Sequence, residues 1–398
     1  MSIKRTLLIS LAMMIIGEIS GQVPKVLIMD ANRLAEVKKK WQQQDETVMR
    51  LTDSLQQQAG RYLKMKPVSV MDKQLTPVSG NKHDYMSQAP YFWYDSTKPN
   101  GLPYKRMDGV RNPEIYKITD RTYLGNLETA TRTLSLAWYI TGDEKYAAKS
   151  SELLRTWFLD ENTKMNPHLE YGQAVPGINT GRGIGLIETV ALTSIADAAI
   201  LLQGSKSWTE ADHSSLQEWY SQFLSWMLTS KNGKDEHAAK NNHGTWYYAQ
   251  VIDYSLFTGD KDKAKQLAEE SKKRLDSQLT KEGKQPLELD RTNGLGYSTM
   301  NLRGWFTVAT LADKTGVDLW SYQTPKSADL RTAFDWLLPY ALGEKKWEYQ
   351  QINNYNKNDI YPLLLQASSA FKDQKYLTLA KALNPEKVNV MAELLYGK

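Results

Sequence analysis

The sequence predicts an all-α protein built as a ring or solenoid of helix pairs, with an irregular helical bundle as the simpler alternative. Three observations carry this prediction. Apolar residues recur at spacings of three, four and seven along most of the chain, and no stretch carries a strand signal. The junction between helices is also repeated: Trp138-Tyr139-Ile140-Thr141-Gly142-Asp143 resembles Ser255-Leu256-Phe257-Thr258-Gly259-Asp260. In both, an apolar helix ends at Gly and Asp caps the next one. Ala370-Phe371-Lys372-Asp373 is a degenerate third copy, and such repetition is the mark of stacked hairpins.

The elements follow in order. Lys4 and Arg5 precede an apolar run from Leu7 to Ile16 and small residues at Ser20 and Gly21. This pattern reads as a cleavable secretory leader over residues 1–21, too short to span a bilayer. A periplasmic or secreted location is therefore expected, with residues 22–398 forming a single catalytic domain. From Asp30, the residues Leu34, Val37, Trp41, Val48, Leu51 and Leu55 predict one amphipathic helix. Six prolines between Pro67 and Pro113 then interrupt the pattern, in a stretch rich in Tyr. Residues 67 to about 124 are accordingly expected to form an ordered, lid-like irregular segment.

Stripes at Leu127–Trp138, Leu216–Met227 and Ala264–Leu279 predict further helices. Ile184 to Leu202 is apolar on nearly every side and predicts an inner helix covered all round. No segment after the leader reads as a transmembrane helix.

Composition narrows the chemistry. The chain has 398 residues, no Cys and only five His, which removes thiolate metal sites, disulfides and cysteine nucleophiles. No metal or other cofactor is expected. The formal charge is +5, falling to +4 without Lys4, Arg5 and Glu18, and suits an acidic partner. Neither a nucleic-acid partner nor stable oligomers are expected.

Three motifs concentrate polar groups. Lys240-Asn241-Asn242-His243-Gly244-Thr245-Trp246-Tyr247-Tyr248 stands at the start of a helical stretch running to about Phe257, where side-chain donors and free backbone amides can hold an anion. The simpler reading makes Asn242 a helix cap and His243 a satisfied imidazole. Next, Pro286 to Tyr297 places Arg291 and Tyr297 on a loop entering a helix that starts near Ser298. Alternatively, Arg291 pairs with Glu288 or Asp290, and Tyr297 walls the core. Finally, Asn179 and Arg182 lie in the Gly-rich run Pro176–Gly185, whose spacing fits no nucleotide-binding loop but can face a carboxylated ligand.

The run His83-Asp84-Tyr85-Met86-Ser87, through Tyr91-Phe92-Trp93-Tyr94-Asp95, to Arg106-Met107-Asp108-Gly109 and Asn112-Pro113-Glu114 resembles the N-terminal signature of the alginate lyase superfamily, near polysaccharide lyase families 5 and 38. Asn242-His243 with Trp246 resembles the family's Asn-His motif. Glu288, Arg291 and Tyr297 resemble its Glu, Arg and Tyr element. The similarity runs from about residue 83 to 310, departing from family 5 at Phe92-Trp93-Tyr94, where that family tends to have Trp-Trp-Pro.

The resemblance implies an (α/α)n toroid, an incomplete helical barrel of α-hairpins, and β-elimination of 4-linked uronate polymers. Alginate containing mannuronate is the first substrate to expect and glucuronan the second. It implies that Asn242, His243 and Arg291 neutralise the substrate carboxylate so that the enolate formed on loss of the C5 proton is stabilised. Tyr297 would be the acid and, in a syn elimination, also the base; His243 is the alternative base. Tyr85, Trp93, Trp246 and Tyr247 are candidate sugar platforms, of which about half are expected to touch substrate. Glu288 and Tyr349 join Asn179 and Arg182 as candidate binding residues, and Tyr349, Asn353, Asn354 and Tyr355 are placed to close the cleft. Two rivals remain: a glycoside hydrolase using two of Glu188, Asp197, Glu288 and Asp290, and a non-catalytic uronate-binding protein.

Overall fold

The structure, a computed structural model, describes residues 23–383 and 389–398. The predicted leader lies outside them. Helices Asp120–Thr141, Ala191–Leu201, Asn242–Phe257, Gly294–Asp313 and Tyr361–Ala370 pack in that order as the inner wall of an α/α toroid. Outer helices pack behind them, Glu144–Phe158, Lys261–Gln278, Leu330–Ala341 and Gln374–Leu383 each following its inner partner. The wall closes through Ala31–Gln42, Glu46–Tyr62 and Val390–Tyr396, which bridge the first and last inner helices.

The repeated junctions work as the sequence predicts. Gly142 and Gly259 both take positive φ, and Asp143, Asp260 and Asp373 each accept a backbone N–H from the first turn of the following helix. Lys372, at φ 51°, stands where the other copies have Gly. Inner walls can also approach closely. A Cβ on Gly304 would lie 3.0 Å from the Thr245 methyl and 3.2 Å from the Trp246 ring, so glycine lets the helices bearing the two motifs meet.

Several expectations need correction. The single helix predicted from Asp30 is two, because Gln44 adopts φ 58° and Asp45 caps a new helix at Glu46. The seven-residue gap between Trp41 and Val48 spans that break. The inner segment from Ile184 begins as a 3₁₀ helix, Gly183–Val190, and becomes α-helical only at Ala191–Leu201. By length and composition Gly183–Leu201 is apolar enough to cross a membrane, contrary to the sequence reading, but 67% of it is buried within the protein. The irregular segment ends at Asp120 rather than near 124. It contains short strands: Phe92–Trp93 pairs antiparallel with Lys105–Arg106, and Met86–Gln88 pairs parallel with Tyr171–Ala174. Periodicity cannot register strands of two or three residues.

Buried charge anchors the segment and the chain start. The Lys73 ammonium lies 3.0 Å from Asp120 and donates to the carbonyls of Val70 and Lys82 at 2.6 Å, inside the core. Asp197, fully buried, accepts from the backbone N–H groups of Leu27, Ile28 and Met29.

Candidate active site

Asn242 is the first residue of its helix, and Asn241 rather than Asn242 occupies the cap position. Asn242 is held from behind. Its backbone N–H and its side-chain Nδ2 both donate to the Glu288 carboxylate, at 2.6 and 2.7 Å, with both residues 1% exposed. Burial raises the pKa of Glu288, against the opposing pull of Asn242's hydrogen bonds and the charges of Arg291 and His243. Glu288 is therefore spent on Asn242 inside the protein rather than open to a ligand, contrary to the binding role expected of it. It is the buried strut between the two motifs.

His243 follows Asn242 and keeps part of its side chain accessible. Its Nδ1 lies 2.7 Å from Oε1 of Glu236, a buried residue of the helix Lys231–Ala238. Gln278 fixes the backbone just before the pair. Its Nε2 donates to the carbonyls of Lys240 and Asn241, both at 3.0 Å, while its Oε1 accepts from Thr245, Asn301 and Trp305 at 3.0, 2.9 and 2.8 Å. One buried amide thus ties together three helices at the site.

Tyr297 lies inside the first turn of the helix Gly294–Asp313, not on the loop before it. Its hydroxyl donates to the Tyr91 hydroxyl at 2.9 Å. The Arg291 guanidinium sits over its ring, 4.0 Å from the centroid. Burial and the bond to Tyr91 raise the pKa of the Tyr297 phenol, and the Arg291 charge opposes them. The phenol is therefore held in its proton-donating form.

Arg291 departs from expectation. Its Nε and Nη2 both donate to Asp108, at 3.1 and 2.9 Å, and Thr292 donates to the same carboxylate at 3.0 Å. Burial pushes the Asp108 carboxyl up, but the bonds and charge of Arg291 outweigh it and bring the pKa to about 2. That face of the guanidinium is engaged within the protein, not open to a substrate carboxylate. The loop reaches this far because Gly109 has φ +73° and its missing Cβ would lie 2.5 Å from Thr292 Oγ1.

Arg182 lies on the other side. Its Nη2 donates to Gln173 at 2.9 Å and its guanidinium stacks over Phe92, 5.0 Å from the ring centroid. Burial lowers its pKa, assisted by Arg106 and opposed by Glu188 and Glu236, and the next residue, Gly183, packs against the helix of Glu236, where a Cβ would lie 3.0 Å from the Glu236 backbone N. Asn179 closes its own turn instead, its Oδ1 accepting from Val175 N–H at 3.1 Å.

The aromatic platforms are mostly core. Tyr85 is fully buried and donates to Glu188 at 2.9 Å, and Trp246 and Tyr247 are 4% and 3% exposed. Aromatic side chains serve a core as readily as a sugar platform, so the resemblance that made them candidates could not tell the two apart. Trp93 stays partly accessible, its indole donating to Val110 carbonyl at 2.9 Å. Tyr349 packs on Trp347 with centroids 5.2 Å apart. The C-terminal polar stretch does dock at the site. Gln351 Oε1 accepts from Leu295 N–H at 3.0 Å, and Tyr355 and Thr299 share a hydroxyl contact of 3.0 Å.

Of the four carboxylates a hydrolase could draw on, three are engaged within the protein and Asp290 alone is exposed, so they offer no free pair. Glu188 accepts from Tyr85 and Ser87, Asp197 holds backbone, and Glu288 holds Asn242. Among the described residues, no cluster of His, Asp and Glu forms a metal site. Glu236, Gln278, Tyr91 and Asp108 were not singled out for these contacts by the sequence. Tyr91 and Asp108 carried a signal only as members of the N-terminal signature, and Glu236 and Gln278 carried none.

No curated protein sequence matches the chain. Among solved structures, an alginate lyase from Bacteroides ovatus is 40% identical with a TM-score of 0.90, covering 94% of this chain and 99% of its own. Alginate lyase A1-III from Sphingomonas species A1 shares the fold, at 16% identity and a TM-score of 0.58 over 94% of this chain and 97% of its own. So does an A1-III variant complexed with a tetrasaccharide, at 17% and 0.59 over 95% and 98%. The profile described as alginate lyase matches residues 69–347, and the chain belongs to the alginate lyase family.

Proposed function

We propose that this polysaccharide lyase cleaves alginate by β-elimination, with His243 as the base and Tyr297 as the acid. The observation carrying this reading is that Glu288, from the motif of Arg291 and Tyr297, accepts both the backbone and the side-chain N–H of Asn242, which joins the two motifs. His243 takes the C5 proton, the C5–H electron pair becomes the C4–C5 double bond, the C4–O4 bond breaks, and Tyr297 protonates the departing O4. A phenol kept protonated by burial and Tyr91 suits that last step.

Positive charge near the substrate carboxylate must stabilise the enolate. Arg182, beside the Glu236–His243 pair, supplies it, while Arg291 acts chiefly on the Tyr297 ring. The leader-like residues 1–21 support export to the periplasm or beyond, which the mass of the mature protein from a cell fraction checks.

The decisive assay follows ultraviolet absorbance with polymannuronate, polyguluronate and glucuronan, because elimination alone creates a conjugated unsaturated uronate. A rise with either alginate block is expected. No rise with any polymer from folded protein would overturn the reading. Full activity of His243→Ala on polymannuronate would move the base role to Tyr297.

A further inference from the structure

We propose that Glu236 is a positioning residue of the elimination, fixing His243 in the Nδ1-protonated form so that Nε2 is left as the proton-accepting nitrogen. The proposal rests on the lyase reading for its kinetic consequence but on geometry for the tautomer.

An ionised carboxylate has no proton to donate, so the 2.7 Å contact between Glu236 Oε1 and His243 Nδ1 requires the hydrogen on Nδ1. A neutral imidazole then carries its lone pair on Nε2, for which no protein partner is present among the described residues. Glu236 is 1% exposed and cannot swing to solvent. Its other oxygen, Oε2, is buried without a hydrogen-bond partner, so the imidazole is the group it serves. The helix Lys231–Ala238 that carries it is capped by Ser230 and packs against Gly183–Val190, next to Arg182. A buried anion is also the wrong group to meet a polyanionic substrate directly.

This arrangement parallels Glu288, which locks Asn242 from behind. Two buried glutamates from different helices thus fix the two adjacent residues of the Asn-His pair. Such an anion also favours the imidazolium formed once the proton is taken, as buried acids do in other carboxylate–imidazole pairs.

The test uses the full-length protein labelled with ¹⁵N-histidine. With five His in the sequence, the His243 signals can be assigned by comparison with His243→Ala. Wild type is expected to give the Nδ1–H pattern at a pH where the ring is neutral, and Glu236→Gln a mixture of tautomers. On polymannuronate, Glu236→Gln should lose at least about tenfold in kcat with little change in KM, while Glu236→Asp, which keeps the charge, recovers part of the loss. A wild-type Nε2–H tautomer, or unchanged kcat in a folded Glu236→Gln, would overturn the proposal. Should Glu236→Gln fail to fold, the wild-type spectrum and the Glu236→Asp kinetics still decide. If wild type cleaves no polymer, the lyase reading falls while the spectra still judge the tautomer.

Discussion

The two halves of the site are held in opposite ways. Asn242 and His243 are fixed by the helical core, through Glu288, Glu236 and Gln278, all almost wholly buried. Arg291 and Tyr297 are fixed from outside the helices, by Asp108 and Tyr91 of the irregular segment. A rigid wall thus presents one half, and a loop completes the other. The family's N-terminal signature and its helical motifs are therefore parts of one site although nearly two hundred residues separate them.

The comparison yields predictions in order of size. Tyr297→Phe removes the acid itself, and should lower kcat by about 10²–10⁴ with the fold intact, measured by absorbance and circular dichroism. His243→Ala should fall in the same range. If one of the pair proved nearly silent, the two halves would not act together.

Gln278→Ala strikes the core-held half. It strands three donors inside the protein, those of Thr245, Asn301 and Trp305, and each buried group left without its partner costs about 1–3 kcal/mol. A clear drop in Tm accompanied by lost kcat is expected. An unchanged Tm would show that this half is not held by the core.

Asp108→Asn strikes the loop-held half. It should cost roughly tenfold in kcat, equivalent to about 1.4 kcal/mol, with Tm hardly altered because the pair is partly solvated. The Asp108 pKa is depressed from 3.8 to about 2, so its contribution is present above pH 3.8 and is lost as pH falls through about 2. Wild-type activity should therefore lose nothing to this contact at any pH above 4.

Tyr91→Phe has the smallest effect and discriminates most finely. Tyr91 raises the Tyr297 pKa, so its removal lets the phenol ionise at lower pH. With Tyr297 as acid, the alkaline fall in rate should move to lower pH. A rate that instead rises earlier with pH would identify the phenolate as the base.

Much of this was legible in the sequence, and the limits are physical. Periodicity placed helices at 127–138, 216–227 and 264–279, and the Gly142-Asp143 and Gly259-Asp260 junctions were read correctly because capping is local chemistry. Asn242, His243, Arg291 and Tyr297 were singled out through their motifs. Tyr85, Trp246, Tyr247 and Glu288 were placed at the substrate because a motif gives residue type without direction. Whether a side chain at the end of an inner helix faces the cleft or the neighbouring helix depends on the rotation of that helix in the ring.

The sequence by itself determined the helical class, the hairpin repeat, the family and the two motifs that carry the proposed reacting groups, since these depend on local propensity and on short motifs. Only the tertiary structure decided what each reacting group is free to do. Asp108 lies 183 residues from Arg291 and yet engages its guanidinium. Glu288 lies 46 residues from Asn242 and receives both of its N–H donors. Charge and hydrogen-bonding capacity are set by distance in space, and no spacing along the chain encodes it.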